Sequence, residues 1–250
     1  MFRSQLVLYK NVIRTMNVDE QIRTILKGLG ADLIGFADVT DLSADMTGKF
    51  SAAVSIAVKL DPLVVSEISH GPTQRYYREY CRVNEFIGKL CRQIADLLVA
   101  GGGQAKAIEA TAENFDTHSL SMPVQHKTIA TRAGLGWIGK SALLVTKEYG
   151  PAVRLGSVLT DAEFETDEPI NTSLCGDCHK CVEQCPADAI TGSNWSVGTP
   201  RESIYDAFAC RQTAVNLSMQ QDINSTICGI CINACPWTQK YISRELDASS

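Results

Sequence analysis

Cys175, Cys178, Cys181 and Cys185, followed by Pro186, spell C-x2-C-x2-C-x3-C-P. In a bacterial ferredoxin run of this kind, three thiolates hold one [4Fe-4S] cube and the fourth reaches a second. A half-motif follows at Cys228, Cys231, Cys235 and Pro236, with Ser225 where the leading cysteine belongs. That gap has two readings: a three-thiolate site with one labile iron, or a fourth ligand recruited from elsewhere. Cys210 is the natural recruit, because apolar residues at 204, 207, 208 and 214 form a helical stripe able to dock it on the cluster loop. By the crossed ferredoxin pattern, one cluster takes Cys175, Cys178, Cys181 and Cys235, and the other takes Cys185, Cys210, Cys228 and Cys231. Zinc fits poorly, since zinc sites pair two C-x2-C knuckles and have no use for a third cysteine in tight series.

The chain has 10 cysteines in all and shows no secretion signal; its early apolar stretch, Gln5 to Tyr9, is too short for one. Reduced thiols in a cytoplasmic protein are therefore expected, with no membrane association. Cys81 and Cys91 match no ligand spacing. On a single helix they would point about 80° apart, and they read as buried thiols. A formal net charge of -5 offers no electrostatic footprint for a phosphate backbone, so tRNA is not expected as a partner.

A second stretch, GLGWIGKS from Gly134 to Ser141, fits both G-x-G-x-x-G and G-x-x-x-x-G-K-[ST]. Each of those motifs needs a buried strand before the glycines and a helix after them. Here PVQHKTIATRA before it suits a helix and ALLVT after it suits a strand, so a nucleotide loop is not expected. Gly134, Gly136 and Gly139 around Trp137 would instead let backbone approach something large and flat.

RAGLGWIGKSALLVTKEYG, LGSVLTD, the Cys175 motif and the half-motif ending in CPW together resemble the epoxyqueuosine reductase family and, more distantly, the corrinoid reductive dehalogenases. The resemblance runs from about Gly30 to Trp237. It implies an α/β (α+β) chain with two domains. Residues 1–168 would be a nitroreductase-like domain for base-off cobalamin and substrate, and residues 169–250 a ferredoxin-like domain with two [4Fe-4S] clusters. It also implies that Ala133, Gly134, Leu135, Gly136, Trp137, Ile138, Gly139 and Lys140 line the corrin pocket. The family's proton-donating Asp, three residues before the proline matching Pro123, is replaced by Leu120; Asp116 and His118 are the substitutes at hand. Tyr80, or Tyr76, would face the substrate side of the corrin. The resemblance implies a short form without the family's C-terminal helical-repeat domain.

The implied activity is an oxidoreductase. A reduced ferredoxin or flavodoxin would supply single electrons through two clusters to cobalt, for a small-molecule or modified-nucleoside substrate. Two other readings stand beside it: an activator that reduces the corrinoid of a partner protein, and a ferredoxin-type carrier without cobalamin.

The positioning elements are legible too. Apolar residues at 18, 22, 25, 26 and 29 mark a helix ended by Gly30, and LIGFADV and AAVSIAV read as strands. A long helix beginning at Pro72 runs to the glycines at 101–103. His126 and Lys127, on the helix before the glycine segment, reach cofactor amides or face water. Acidic Asp161 to Glu168 reads as the hinge between the domains.

Overall fold

The computed structural model describes residues 17–108, 120, 122 and 124–248. Helix α1 (Val18–Leu29) buries Ile22 and Leu26 one turn apart and stops at Gly30, whose φ of +101° needs no Cβ. Strand β1 (Leu33–Asp38) follows. A single helical turn, α2 (Ala44–Thr47), leads to β2 (Ala52–Lys59). After another short helix, α3 (Pro62–Ser66), comes the long α4 (Gln74–Ala100). Pro72 lies ahead of that helix and does not begin it, because Thr73 is the N-cap and its side chain accepts from the Tyr76 N–H.

Strand β3 (Ala105–Ile108), helix α5 (His126–Arg132), the two-residue strands β4 (Trp137–Ile138) and β5 (Leu144–Val145), and strand β6 (Val153–Thr160) complete the first part. The main sheet has the order β1-β2-β6-β3 with antiparallel neighbours throughout. β2 is central and apolar on both faces. Its alternation sends Val54, Ile56 and Val58 into one core and Ala53 into the other.

Helix α4 covers the first face. It sits so close to β6 that a Cβ on Gly156 would lie 2.3 Å from Ile87 and 2.6 Å from the Cys91 sulfur. Helix α5 covers the second face, where a Cβ on Gly35 would lie 2.2 Å from the Ala133 carbonyl. Cys91 is buried in this packing, whereas Cys81 is exposed, which corrects the expectation of two buried thiols. The buried stripe of α4 runs through positions 76, 79, 83, 87, 90, 91, 94 and 98, and position 81 lies off it.

The remaining elements are α6 (Lys180–Glu183), a 3-10 turn (Arg201–Ser203), α7 (Ala207–Met219), α8 (Ile230–Asn233) and α9 (Pro236–Asp247). They fold back onto the sheet. Ile223, Ile227, Tyr241 and Ile242 join the α4-side core, and the Tyr241 hydroxyl donates to the Leu60 carbonyl at 2.8 Å. The segment read as a hinge is pinned: Arg23 grips the Asp167 carboxylate at 2.7 and 2.5 Å, and the Phe36 N–H donates to it. Phe164 packs on Phe36 with ring centroids 4.8 Å apart. No helix among the described residues is long and apolar enough to cross a membrane.

Candidate functional site

Short helices present the cysteines. In the first C-x2-C turn, the Cys178 N–H donates to the Cys175 carbonyl and holds the loop. Gly229, at φ +91°, starts α8 with a backbone that only glycine holds without strain. The eight motif cysteines fall into two adjoining groups. Cys175 and Cys178 act electrostatically on Cys181, and Cys175 and Cys181 on Cys235. Cys185 and Cys228 act on Cys210, Cys185 on Cys228, and all three on Cys231. Cys181 reaches Cys231 as well, so the groups are neighbours.

Burial is the main cause that pushes the thiols of Cys181, Cys210, Cys228, Cys231 and Cys235 up, to about 11 at Cys181, Cys210 and Cys235. Thiolates so placed need positive partners. Among the described residues, no three His, Cys, Asp or Glu side chains are placed to grip one metal ion. A cube takes one thiolate on each of its four irons and needs a wider cage than a tetrahedral ion, so this donor set suits clusters better than zinc.

The glycine segment lies directly against the first group. Trp137, fully buried, donates its indole N–H to the Cys175 sulfur at 3.4 Å. It also meets Trp237, two residues after Cys235, edge to face at 5.5 Å. Buried Lys140 approaches His179 Nε2 at 3.4 Å, while His179 Nδ1 lies 2.9 Å from the Asp177 carbonyl oxygen. Those contacts fit a tautomer in which Nδ1–H donates and Nε2 accepts from the ammonium.

The close approaches that the glycines allow are to the chain itself. Added Cβ atoms would lie 2.8 Å from the Glu168 carbonyl at Gly134, 2.2 Å from that of Val145 at Gly136, and 2.7 Å from the Val145 side chain at Gly139. Ala133 is buried beneath the sheet. Helix α5 precedes the segment, which turns into a hairpin of β4 and β5, the order of helix then strand expected from the sequence.

Successive residues of β4 point to opposite sides. Trp137 faces the thiols, and Ile138 faces a cleft of about 310 Å³. Leu42, Ile138, Ala142, Trp195 and Ile204 give this cleft an apolar wall; Lys127, Thr128, Thr199 and Arg201 supply donors, while the Thr131 hydroxyl donates to the Thr128 carbonyl at 2.9 Å. Its size and mixed lining are those of a small-molecule site. Lys127 donates to the Ala142 carbonyl at 3.0 Å, and burial with the like charge of Arg201 pushes its ammonium down to about 8. Of the segment from Ala133 to Lys140, Ile138 is the residue on the cleft wall; Gly134 and Leu135 are half-buried and lie outside its lining.

Tyr80 is half-buried in the α4-side core, with the Arg154 guanidinium 4.5 Å above its ring, and is not part of the cleft lining. Tyr76 is buried beside Cys228 and Cys231, with burial the chief cause that raises its hydroxyl. His126 Nδ1 lies 2.9 Å from Ser157 Oγ on β6. Asp116, His118 and Pro123 lie outside the described residues. Leu120 has a φ of +50°, uncommon for a branched side chain, and its carbonyl accepts from Arg201. The sequence did not single out Trp195 or Arg201, which come from a loop without periodicity.

Residues 174–238 match the family model of the 4Fe-4S double cluster binding domain. An epoxyqueuosine reductase from Synechocystis sp. is 32% identical over 121 residues, 48% of this chain and 41% of that protein. One from Listeria monocytogenes is 48% identical over 64 residues, 26% of this chain and 17% of that protein. The chain is a relative of the epoxyqueuosine reductases. It spans less than half the length of the curated relatives it matches.

Solved structures show the same fold at low identity. The epoxyqueuosine reductase of Streptococcus thermophilus has a TM-score of 0.55 at 22% identity, covering 90% of this chain and 67% of that one. An epoxyqueuosine reductase holding an epoxyqueuosine-modified tRNA-Tyr stem loop has a TM-score of 0.58 at 20% identity, covering 88% and 65%. A reductive dehalogenase described for B12-dependent dehalogenation reaches 0.68 at 20% identity, covering 91% and 33%.

Proposed function

We propose that this relative of the epoxyqueuosine reductases is a cobalamin-dependent iron–sulfur reductase. Cys175, Cys178, Cys181 and Cys235 would hold one [4Fe-4S] cluster and Cys185, Cys210, Cys228 and Cys231 the other. Single-electron transfer is what the clusters supply when bound, and a strongly reducing cobalt centre is what cobalamin supplies. The observation that carries the reading is the position of β4, with Trp137 on the first thiol group and Ile138 on the cleft wall.

This chain's residues hold, shield and orient. The cleft joins an apolar wall to N–H and O–H donors, which suits the hydrocarbon rim and carboxamide arms of a corrin. Ile138, Ala142 and Trp195 would pack on that rim, and Thr128 and Thr199 would donate to the arms. The fully buried Trp137 ring and the Trp237 ring beside it keep water from the Cys175 side of the first group. Asp116 and His118 stay the proposed proton donors. Residues 1–168 would serve cofactor and substrate and residues 169–250 the clusters, the two parts sharing one core. Reduced ferredoxin or flavodoxin is the proposed electron donor. A modified nucleoside, free or within a tRNA stem loop, is the first substrate to test.

The test is titration of anaerobically purified, cluster-loaded protein with cob(II)alamin, followed by electron paramagnetic resonance. A base-off cobalt signal that saturates near one cobalamin per chain is the expected result. An unchanged cobalt spectrum overturns the cobalamin part of the proposal and leaves the clusters standing.

A further inference from the structure

The cleft beside β4 is lined on one side by cations. Lys127 at the start of α5, Arg132 at its end and Arg201 on the 3-10 turn all contribute, and no Asp or Glu is found in the lining among the described residues. Arg132 is neutralised from outside by Asp41 at 2.6 Å, and Arg201 is paired with Glu202 at 2.9 Å. Lys127 is different. Its described partner is a neutral carbonyl, that of Ala142, and its charged neighbour is the like-charged Arg201. A cation held beside another cation, with a neutral acceptor alone, is stabilised by any anion that enters between them. The hydroxyls of Thr128 and Thr199 add neutral donors, and Trp195, Ile138 and Ile204 add an apolar floor.

We propose that this cleft binds an oxyanion carried on an apolar or aromatic group, with Lys127 and Arg201 as its cationic partners. Phosphate esters and carboxylates share the required chemistry: several acceptor oxygens for a guanidinium and an ammonium, and a body that packs on Trp195. The anion has two possible sources, the substrate or the phosphodiester of the cofactor's own nucleotide tail. Assigning it to either rests on the function proposed above. Anion binding itself is measured without cobalamin, so failure of the anion site and failure of the cobalamin reading give separate results.

The experiment is calorimetric titration of cluster-loaded protein with phenyl phosphate and, as the neutral control, benzyl alcohol. Saturable binding of phenyl phosphate, with benzyl alcohol at least about tenfold weaker, is expected. Lys127→Met and Arg201→Gln should each weaken phenyl phosphate by about tenfold or more, since each removes a charge-assisted bond, while Arg201→Lys keeps part of the affinity. Iron content is read for each variant to establish that it has folded. The charged and neutral probes are compared on the wild-type chain, so the result does not depend on any variant. Equal affinity for both probes, or no saturable binding of phenyl phosphate, overturns the proposal; so does unchanged affinity in both charge-removing variants. A repeat with cobalamin present identifies the source. Mutual displacement assigns the site to the cofactor's phosphodiester, and simultaneous binding assigns it to a substrate oxyanion.

Discussion

The indole N–H of Trp137 donates to the sulfur of Cys175 at 3.4 Å across a buried contact. A donor aimed at a thiolate stabilises the more negative, reduced form of the centre that the sulfur serves. Trp137→Phe keeps most of the packing and removes that donor. The midpoint potential of the first cluster should fall by a few tens of mV, the equivalent of about 1 kcal/mol for one hydrogen bond. A redox titration monitored by electron paramagnetic resonance reads it, and an unmoved potential contradicts the role.

Gly136 and Gly48 separate steric need from backbone conformation. An added Cβ at Gly136 meets the Val145 carbonyl at 2.2 Å, whereas at Gly48, with φ +62°, it meets nothing within 4 Å. Gly136→Ala should cost more than about 3 kcal/mol by forcing the β4–β5 hairpin apart. Gly48→Ala should cost about 1 to 3 kcal/mol, the penalty of a backbone at φ +62° and ψ −123° that side chains rarely adopt. Urea midpoints measure both.

Lys127 gives stability a pH dependence of known sign. Its pKa falls from 10.5 in the unfolded chain to about 8 in the fold, through burial and then the charge of Arg201. Between those values the unfolded chain binds the extra proton, so this group raises stability as pH rises through that window. Below about 8 its full penalty is present. Lys127→Met should therefore be more stable than the wild-type chain at pH 7, and the gap should shrink as pH approaches 10.5. A gap independent of pH contradicts the assignment.

Asp167 ties three pieces of chain together, accepting from Arg23 and from the Phe36 N–H. Asp167→Ala should cost about 1 to 2 kcal/mol, because the ion pair is partly screened at 31% and 36% side-chain exposure while the backbone N–H loses its acceptor. Thermal unfolding of the cluster-loaded protein measures this.

Local signals carried much of the fold. The stripe at 22, 25, 26 and 29 with Gly30 marked α1, and the apolar run AAVSIAV marked β2, because periodicity and a left-handed stop are properties of neighbouring residues. The cysteines were legible for the same reason, as spacing alone selects the chemistry. Cys81 was misread because helix phase, not residue type, decides which face a thiol takes. The purpose of Gly134, Gly136 and Gly139 was hidden as well. Their neighbours, Glu168 and Val145, are defined by the hairpin and by the return of a later segment. Arg201 and Trp195 reach the cleft from an irregular segment whose Trp195 and Ile204 pack on Ile138 and Ala142, a long-range contact that no local pattern reports.

Cys185 decides the central claim. It closes the first motif in sequence, yet in space it acts on Cys210, Cys228 and Cys231. Iron and sulfide should be counted, and resonance spectra recorded, for the wild-type chain and for Cys175→Ala, Cys185→Ala and Cys210→Ala. Two cubes give about eight irons and each loss leaves about four. Crossed ligation predicts that Cys185→Ala and Cys210→Ala keep the same residual spectrum and Cys175→Ala keeps the other. If Cys185→Ala instead matches Cys175→Ala, the crossed pair of clusters, and the path to the cleft built on it, is contradicted.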